Sequence, residues 1–599
     1  MKLILLSILG LVYSSRRDDD LVTNLPGLIF NTNFDFYSGY LNAGNNGSWR
    51  MHYVLTESQS DPVNDPVLLW LNGGPGCSSF SGLLGELGPY YVNYDGQTLF
   101  ENVYAWNKKA NVLAIESPIG VGFSYDNTTA NYTNANDDQT ALQNYNALID
   151  FFKNVRPDLQ KNPLFLSGES YAGIYIPTLS KLIVDGVNDK TFPNQNFRGA
   201  AIGNGFMHVK YLMNSLVLWG AYHARISQDE WARAKQVCQT DGLTDHDKYD
   251  YTKFMKTTNG MDYVADNSTE CGRIIDQLIT DSPASSDIFF DQYNYYQDCY
   301  SLTAVSKTGM KFDYGGFTGF DKNTAKVFNY DSTDPQFGYP CWSDSAIRIY
   351  LNRPEVQAAL HIEDAWKKQN QSWKGCNDPM YDLYNLTYAT TNDFFNYVIQ
   401  KSQSSFRFLI YNGDVDTVCN YLGDSWFIQD VARDNNLTSS QRKPWFFGSS
   451  IAGYNQNYVV LQNAGSVSID VLTVKGAGHF VPNDRPGVSL QMITNFMFDS
   501  NSAVDYSSTS FVNSQPKIAP LKTTKTTAAP PTTVSTTVSP STAPPCTVPT
   551  VPTTVPTNKA STKAATKKAT TTSSYESSTK SSNRILSYFV LVSLMGLLL

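Results

Sequence analysis

The chain has 599 residues, 13% of them aromatic and 17% charged, with a formal net charge of −9 at pH 7. That much apolar sequence can bury a substantial core, which argues against a disordered chain, and the length leaves room for two or three units. The acidic balance and the lack of a Lys/Arg block argue against nucleic acid as a partner, since phosphates need clustered cations.

Residues 1–15 read as a signal peptide: Met1-Lys2, an apolar run from Leu3 to Tyr13, then Ser14-Ser15. Short apolar runs at Pro66 to Trp70 and Val112 to Ile115 are bounded by Pro, Asn and Gly, and predict buried parallel strands, each followed by a glycine-rich loop. From Asp138 to Val155 apolar residues recur at helical spacing through Leu142, Tyr145, Leu148, Ile149, Phe152 and Val155. The strand that follows breaks at Gly168-Glu169-Ser170-Tyr171-Ala172. Such a strand–turn–helix exposes one serine, and the strained turn needs small residues two before and two after it. Gly168 and Ala172 meet that need, so Ser170 reads as a nucleophile.

A further strand at Gly199 to Gly203 ends at Asn204-Gly205. Residues 206–340 are irregular and rich in Tyr, Asp and Lys, and are read as an inserted cap. Alternation resumes in 341–500, with a helix around Pro354 to Leu360 and strands at Phe406 to Tyr411 and Ser468 to Val474. The expected architecture is α/β: an α/β-hydrolase fold with a mostly parallel central sheet, its core split between residues 16–205 and 341–500 by the cap domain. Residues 515–584 are rich in Thr, Ser, Pro and Lys and read as an O-glycosylated stalk. The apolar tail at 585–599 resembles a GPI-attachment signal, and is slightly short of the roughly 17 residues a spanning helix needs.

Seven sequons, at Asn46, Asn127, Asn131, Asn267, Asn370, Asn385 and Asn436, fit a secreted glycoprotein. Eight cysteines in such a chain suggest a few disulfides added to a core that already folds, and their spacing alone leaves the pairing open. There is no C-x-x-C pair or His/Cys cluster to support a metal site, and no cofactor is expected.

A serine nucleophile needs a base, an acid to orient it and donors for the oxyanion. In an α/β-hydrolase chain the order is Ser, then Asp or Glu, then His. Of six histidines, His479 alone lies beyond His361, in Gly476-Ala477-Gly478-His479 directly after a predicted strand. Asp416 follows another strand in Asn412-Gly413-Asp414-Val415-Asp416, with Asp414 as its competitor. In Leu71-Asn72-Gly73-Gly74-Pro75-Gly76 the bare glycines let backbone come close to an intermediate, and the N–H groups of Gly74 and Tyr171 are the candidate oxyanion donors.

These residues, together with Trp70 to Ser79, Glu86-Leu87-Gly88-Pro89, Glu116-Ser117-Pro118, Gly120 to Tyr125 and Val481-Pro482, closely resemble the serine carboxypeptidase family, over about Leu25 to Phe498. The resemblance implies an exopeptidase with Ser170, Asp416 and His479 as its triad. It implies that Asn72, Gly73, Glu86 and Glu169 bind the C-terminal carboxylate of a peptide or protein. Two adjacent glutamates that share one proton can hydrogen-bond an anion, which predicts activity favoured at acidic pH. It also implies disulfides Cys77–Cys376, Cys238–Cys271 and Cys299–Cys341, a free Cys419 near the site, and Cys546 outside the pattern.

The same machinery can serve an acyltransferase or esterase, and a surface-anchored binding protein is the non-enzymatic alternative. The expected location is the secretory pathway, at the cell surface or outside the cell, with the lysosome as alternative. Membrane attachment through the tail, a homodimer, excision of a cap segment and the preferred terminal residue stay open.

Overall fold

The computed structural model describes residues 16–93, 95–257, 260–279, 292–296, 342–369, 371–462, 465–512 and 519–522. The leader at 1–15, the Cys299–Cys341 pair, Asn370, Cys546, the stalk beyond 522 and the tail at 585–599 lie outside the described residues.

The chain enters through the antiparallel pair β1 (Phe36–Asn42) and β2 (Trp49–Thr56), then β3 (Val67–Leu71) and helix α1 (Ser79–Gly85). A small hairpin of β4 (Tyr90–Val92) and β5 (Leu99–Glu101) precedes β6 (Asn111–Ile115), β7 (Tyr125–Asp126) and α2 (Asp137–Asp150). Strand β8 (Leu164–Ser170) runs into α3 (Ala172–Asn188), and β9 (Phe197–Gly205) follows. After the helices described below and the short pair β10 (Met255–Lys256) and β11 (Val264–Ala265), the sheet resumes with β12 (Phe406–Gly413). It finishes with β13 (Thr438–Ser439), β14 (Lys443–Phe447), β15 (Ser450–Gln462) and β16 (Gly465–Val474).

The main sheet has the order β1-β2-β6-β3-β8-β9-β12-β16-β15-β13. From β6 to β16 neighbouring strands are parallel, and the flanks are antiparallel. The central strands are buried on both faces, which is why they read as unbroken apolar runs. Leu69, Leu166 and Ile410 face one core layer, whereas Leu68, Trp70, Phe165 and Leu409 face the other. Fully burying each such side chain contributes about 1.5–3 kcal/mol. Chain order reverses around β3, which lies between β6 and β8, and in such sheets the crevice beyond the strands' C-terminal ends is the natural binding place. The loops after β3, β8, β9, β12 and β16 all emerge at that end.

The sequence following Gly205 proves more regular than its composition suggests. It forms α4 (Val209–Tyr222), α5 (Gln228–Val237) and α6 (Glu270–Ile279), packed around a small core that includes Val217, Ala234, Tyr251 and Ile275. The disulfide Cys238–Cys271 joins the end of α5 to α6. Helix α4 is apolar almost all round and α5 is mostly polar, so neither shows the clean stripe that marks a helix in sequence.

Candidate active site

Ser170 closes β8 with φ at 61°, the left-handed region that a non-glycine residue enters only when its surroundings hold it there. A Cβ on Gly168 would lie 2.4 Å from the Leu71 carbonyl oxygen and 2.6 Å from Ala172 Cβ, so the small residues either side of the serine are enforced by packing. The loop after β3 presses on the same turn. A Cβ on Gly73 would lie 2.4 Å from Tyr171 N and 2.7 Å from Ser170 Cβ, which places the Gly73-Gly74 backbone beside the predicted oxyanion donor Tyr171. The Cys77–Cys376 disulfide ties this loop to the later half of the chain.

The candidate acid and base come from the loops after β12 and β16. His479 Nδ1 lies 2.8 Å from Asp416 Oδ2, with His479 2% and Asp416 0% exposed. Asp416 also accepts hydrogen bonds from Asn204 Nδ2 at 2.8 Å, Val418 N at 2.8 Å and Cys419 N at 3.0 Å, so its carboxylate is fixed on all sides. Its competitor Asp414 instead accepts from Gly476 N at 2.7 Å and steadies the start of the histidine loop. With Nδ1 occupied by Asp416, the imidazole presents Nε2 as its free proton acceptor. Among the described residues no hydrogen bond joins Ser170 Oγ to the ring; catalytic hydrogen bonds often tighten only in the substrate complex.

The third cluster is acidic. Asn72 Nδ2 donates to Glu169 Oε1 at 2.8 Å and is 3.3 Å from Glu86 Oε1, while Trp70 Nε1 donates to Asn72 Oδ1 at 2.7 Å and so fixes which way the amide faces. Both glutamates are buried, at 5% and 2% exposure. Burial, before any neighbouring charge, pushes Glu86 up to about 7, and burial followed by the Glu86 charge raises Glu169 well above the usual carboxylate range. Glu86 caps the C-terminal end of α1, where the helix dipole further disfavours a negative charge. Such a pair holds a proton at neutral pH and can hydrogen-bond an anion that two ionised carboxylates would repel.

The sequence profile described as serine carboxypeptidase matches residues 26–499. The chain belongs to the serine carboxypeptidase family. Its curated relatives include serine carboxypeptidase ctsa-3.1 of Caenorhabditis elegans, 51% identical over 525 residues and covering 82% of this chain and 91% of the relative. The lysosomal protective protein of Mus musculus is 36% identical over 514 residues, covering 82% and 97%. Among solved structures, the prohormone-processing carboxypeptidase Kex1(delta)p of Saccharomyces cerevisiae superposes with a TM-score of 0.57 at 19% identity, covering 81% of this chain and 96% of that one, and so shares the α/β-hydrolase fold.

Several further residues of this serine carboxypeptidase support the site. Asn204, with φ at 41°, donates to Asp416 and accepts from Gly413 N at 3.0 Å, so it couples β9 to the aspartate loop. Asp424, which burial pushes up to about 8, accepts from Asn412 Nδ2 at 2.7 Å and Gly205 N at 3.1 Å. Residues 292–296 cross both catalytic-end loops: His479 N donates to Tyr293 O at 2.6 Å, and Thr417 Oγ1 to Gln292 O at 2.6 Å. The signal for Asn204 and Asn412 is a polar amide at the very end of a buried strand, where an apolar residue would be expected. Cys419 is free and buried, and burial raises its thiol well above its ordinary value.

Proposed function

We propose that this serine carboxypeptidase releases single residues from the C-termini of peptides and proteins through a Ser170 acyl-enzyme. Ser170 attacks the last peptide carbonyl, His479 takes its proton and returns it to the leaving amine, and Asp416 holds the imidazole. The N–H groups of Gly74 and Tyr171 stabilise the oxyanion. Asn72, Gly73, Glu86 and Glu169 receive the chain-terminal carboxylate.

The observation that carries this reading is the Asn72 amide joined to two buried glutamates beside the serine turn. An endopeptidase or a general esterase has no use for a proton-sharing acid pair there, whereas an enzyme that must grip an anionic chain end does. Activity is therefore favoured at acidic pH, because loss of the shared proton turns the grip into repulsion. The test is kcat/KM between pH 5 and pH 8 for a blocked dipeptide with a free carboxylate, set against its C-terminal amide. An alkaline fall confined to the acid supports the reading, and parallel profiles would remove it.

We further assign the chain to the secretory pathway. Asn46, Asn127, Asn131, Asn267, Asn385 and Asn436 are exposed, as glycan attachment requires, and disulfides suit an oxidising compartment. The helices that follow Gly205 serve as a cap over the catalytic end of the sheet. Among the described residues no helix is long and apolar enough to cross a membrane, so surface attachment rests on the tail sequence alone.

A further inference from the structure

We propose that Tyr411 is a positioning residue of the acid pair, its hydroxyl donating toward Glu169 and so setting how tightly the pair holds its proton. The register of the sheet carries this. Leu71 pairs with Gly168, which puts Asn72 next to Glu169; Glu169 pairs with Gly203, and Gly203 pairs with Tyr411. Residues in register on neighbouring strands project from the same face, so Asn72, Glu169, Gly203 and Tyr411 form one row across β3, β8, β9 and β12. The bare position in that row is Gly203. A Cβ there would lie 2.5 Å from Tyr411 Cζ and 2.6 Å from its hydroxyl oxygen, so the phenol lies across β9 with its polar end directed at β8 and Glu169.

Glu169 and Glu86 hydrogen-bond each other through their shared proton, which leaves Tyr411 Oη as the buried oxygen in this row with no partner of its own. Tyr411 is 1% exposed, and a phenol so deeply buried ordinarily has a hydrogen-bond partner. The phenol, on β12, thus brings a hydroxyl donor to an acid pair held by β8 and the end of α1. Burial first, and then the Glu169 and Glu86 charges, hold the phenol proton in place, so Tyr411 keeps a hydrogen to donate to an ionised acid.

Other groups also face the pair. Glu86 feels His479 and Asp344, and its own carbonyl accepts from Tyr91; Glu169 feels Asp416, and its charge reaches Cys419. Tyr411 differs from these in meeting the pair in the same sheet row, on the side away from Asn72.

The inference rests on the proposed carboxylate-binding role of the pair. It is tested with Tyr411→Phe in the full chain, using a blocked dipeptide, its C-terminal amide, and Glu169→Gln as reference. A donor to Glu169 favours the ionised form, so removing it makes the pair hold its proton to higher pH. The alkaline fall in kcat/KM for the acid substrate should move up by about one pH unit, through KM, with the amide profile unchanged. An unmoved profile, a downward shift, equal losses on both substrates, or a variant that does not fold would each overturn the role of Tyr411. If the wild-type acid and amide profiles coincide and Glu169→Gln alters neither, the carboxylate reading itself falls, which is a distinct result.

Discussion

His479 Nδ1 lies 2.8 Å from Asp416 Oδ2, and neither group meets water. That contact fixes which ring nitrogen carries the proton. Asp416→Asn would offer the ring an amide and favour the wrong tautomer, so kcat should fall on the order of 10⁴-fold with KM little changed. A loss below tenfold in steady-state kinetics would remove Asp416 from the triad.

Asn204 supports that aspartate from β9. Asn204→Gly keeps the left-handed backbone available and deletes only the amide, leaving Asp416 one donor short and Gly413 N without its acceptor. We expect kcat to drop about 10- to 100-fold, in line with the roughly 1–3 kcal/mol cost of an unmet buried polar group. An unchanged kcat would show that the remaining backbone donors suffice.

The buried acids also govern stability. Glu86 is raised in the fold from 4.5 to about 7, so the unfolded chain ionises first and folding is favoured most below about pH 4.5. This contribution, at most about 3.4 kcal/mol, is lost as pH rises toward 7. Asp424, raised from 3.8 to about 8, acts with the same sign. Thermal unfolding should therefore give a higher Tm at pH 5 than at pH 7.5, and Glu86→Gln should flatten the difference. Equal slopes for wild type and variant would contradict the assigned shift.

The two disulfides among the described residues separate stability from catalysis. Their partners are 299 and 33 residues apart, for which chain entropy gives upper values of about 6 and about 4 kcal/mol. Replacing either pair by alanine should lower Tm. Only loss of Cys77–Cys376 should also lower kcat, because that bond holds the loop pressed against Ser170. Equal kcat effects from both replacements would contradict this division.

Much of the site is legible in the sequence because strained backbone and paired chemistry leave local traces. Gly168, Ser170 and Ala172 announce a tight turn, and the glycines before His479 announce a close-packed loop. The choice between Asp414 and Asp416 is not local: one carboxylate meets Gly476 N and the other the imidazole, a difference set by packing across β12 and β16. The partners of Asn204 and Tyr411 leave no local trace for the same reason: Asp416 lies more than two hundred residues from Asn204, and Glu169 lies two strands across the sheet from Tyr411. The antiparallel flank is hard to read in the sequence as well. In β15, the run Ser450–Gln462 mixes Asn, Gln and Tyr on an outer strand, so its apolar signal is weak. Helices α4 to α6 were obscured by surrounding loops rich in Tyr, Asp and Lys.

Exopeptidase chemistry at Ser170 is tested most directly by measuring the free amino acid released from a blocked dipeptide at pH 5 by wild type and by Ser170→Ala, with a phosphonate serine probe mapped in parallel. Wild type should free one C-terminal amino acid per turnover and carry the probe on Ser170, and the variant should do neither. Amino acid release that survives Ser170→Ala, or a probe attached to another residue, would contradict the assignment.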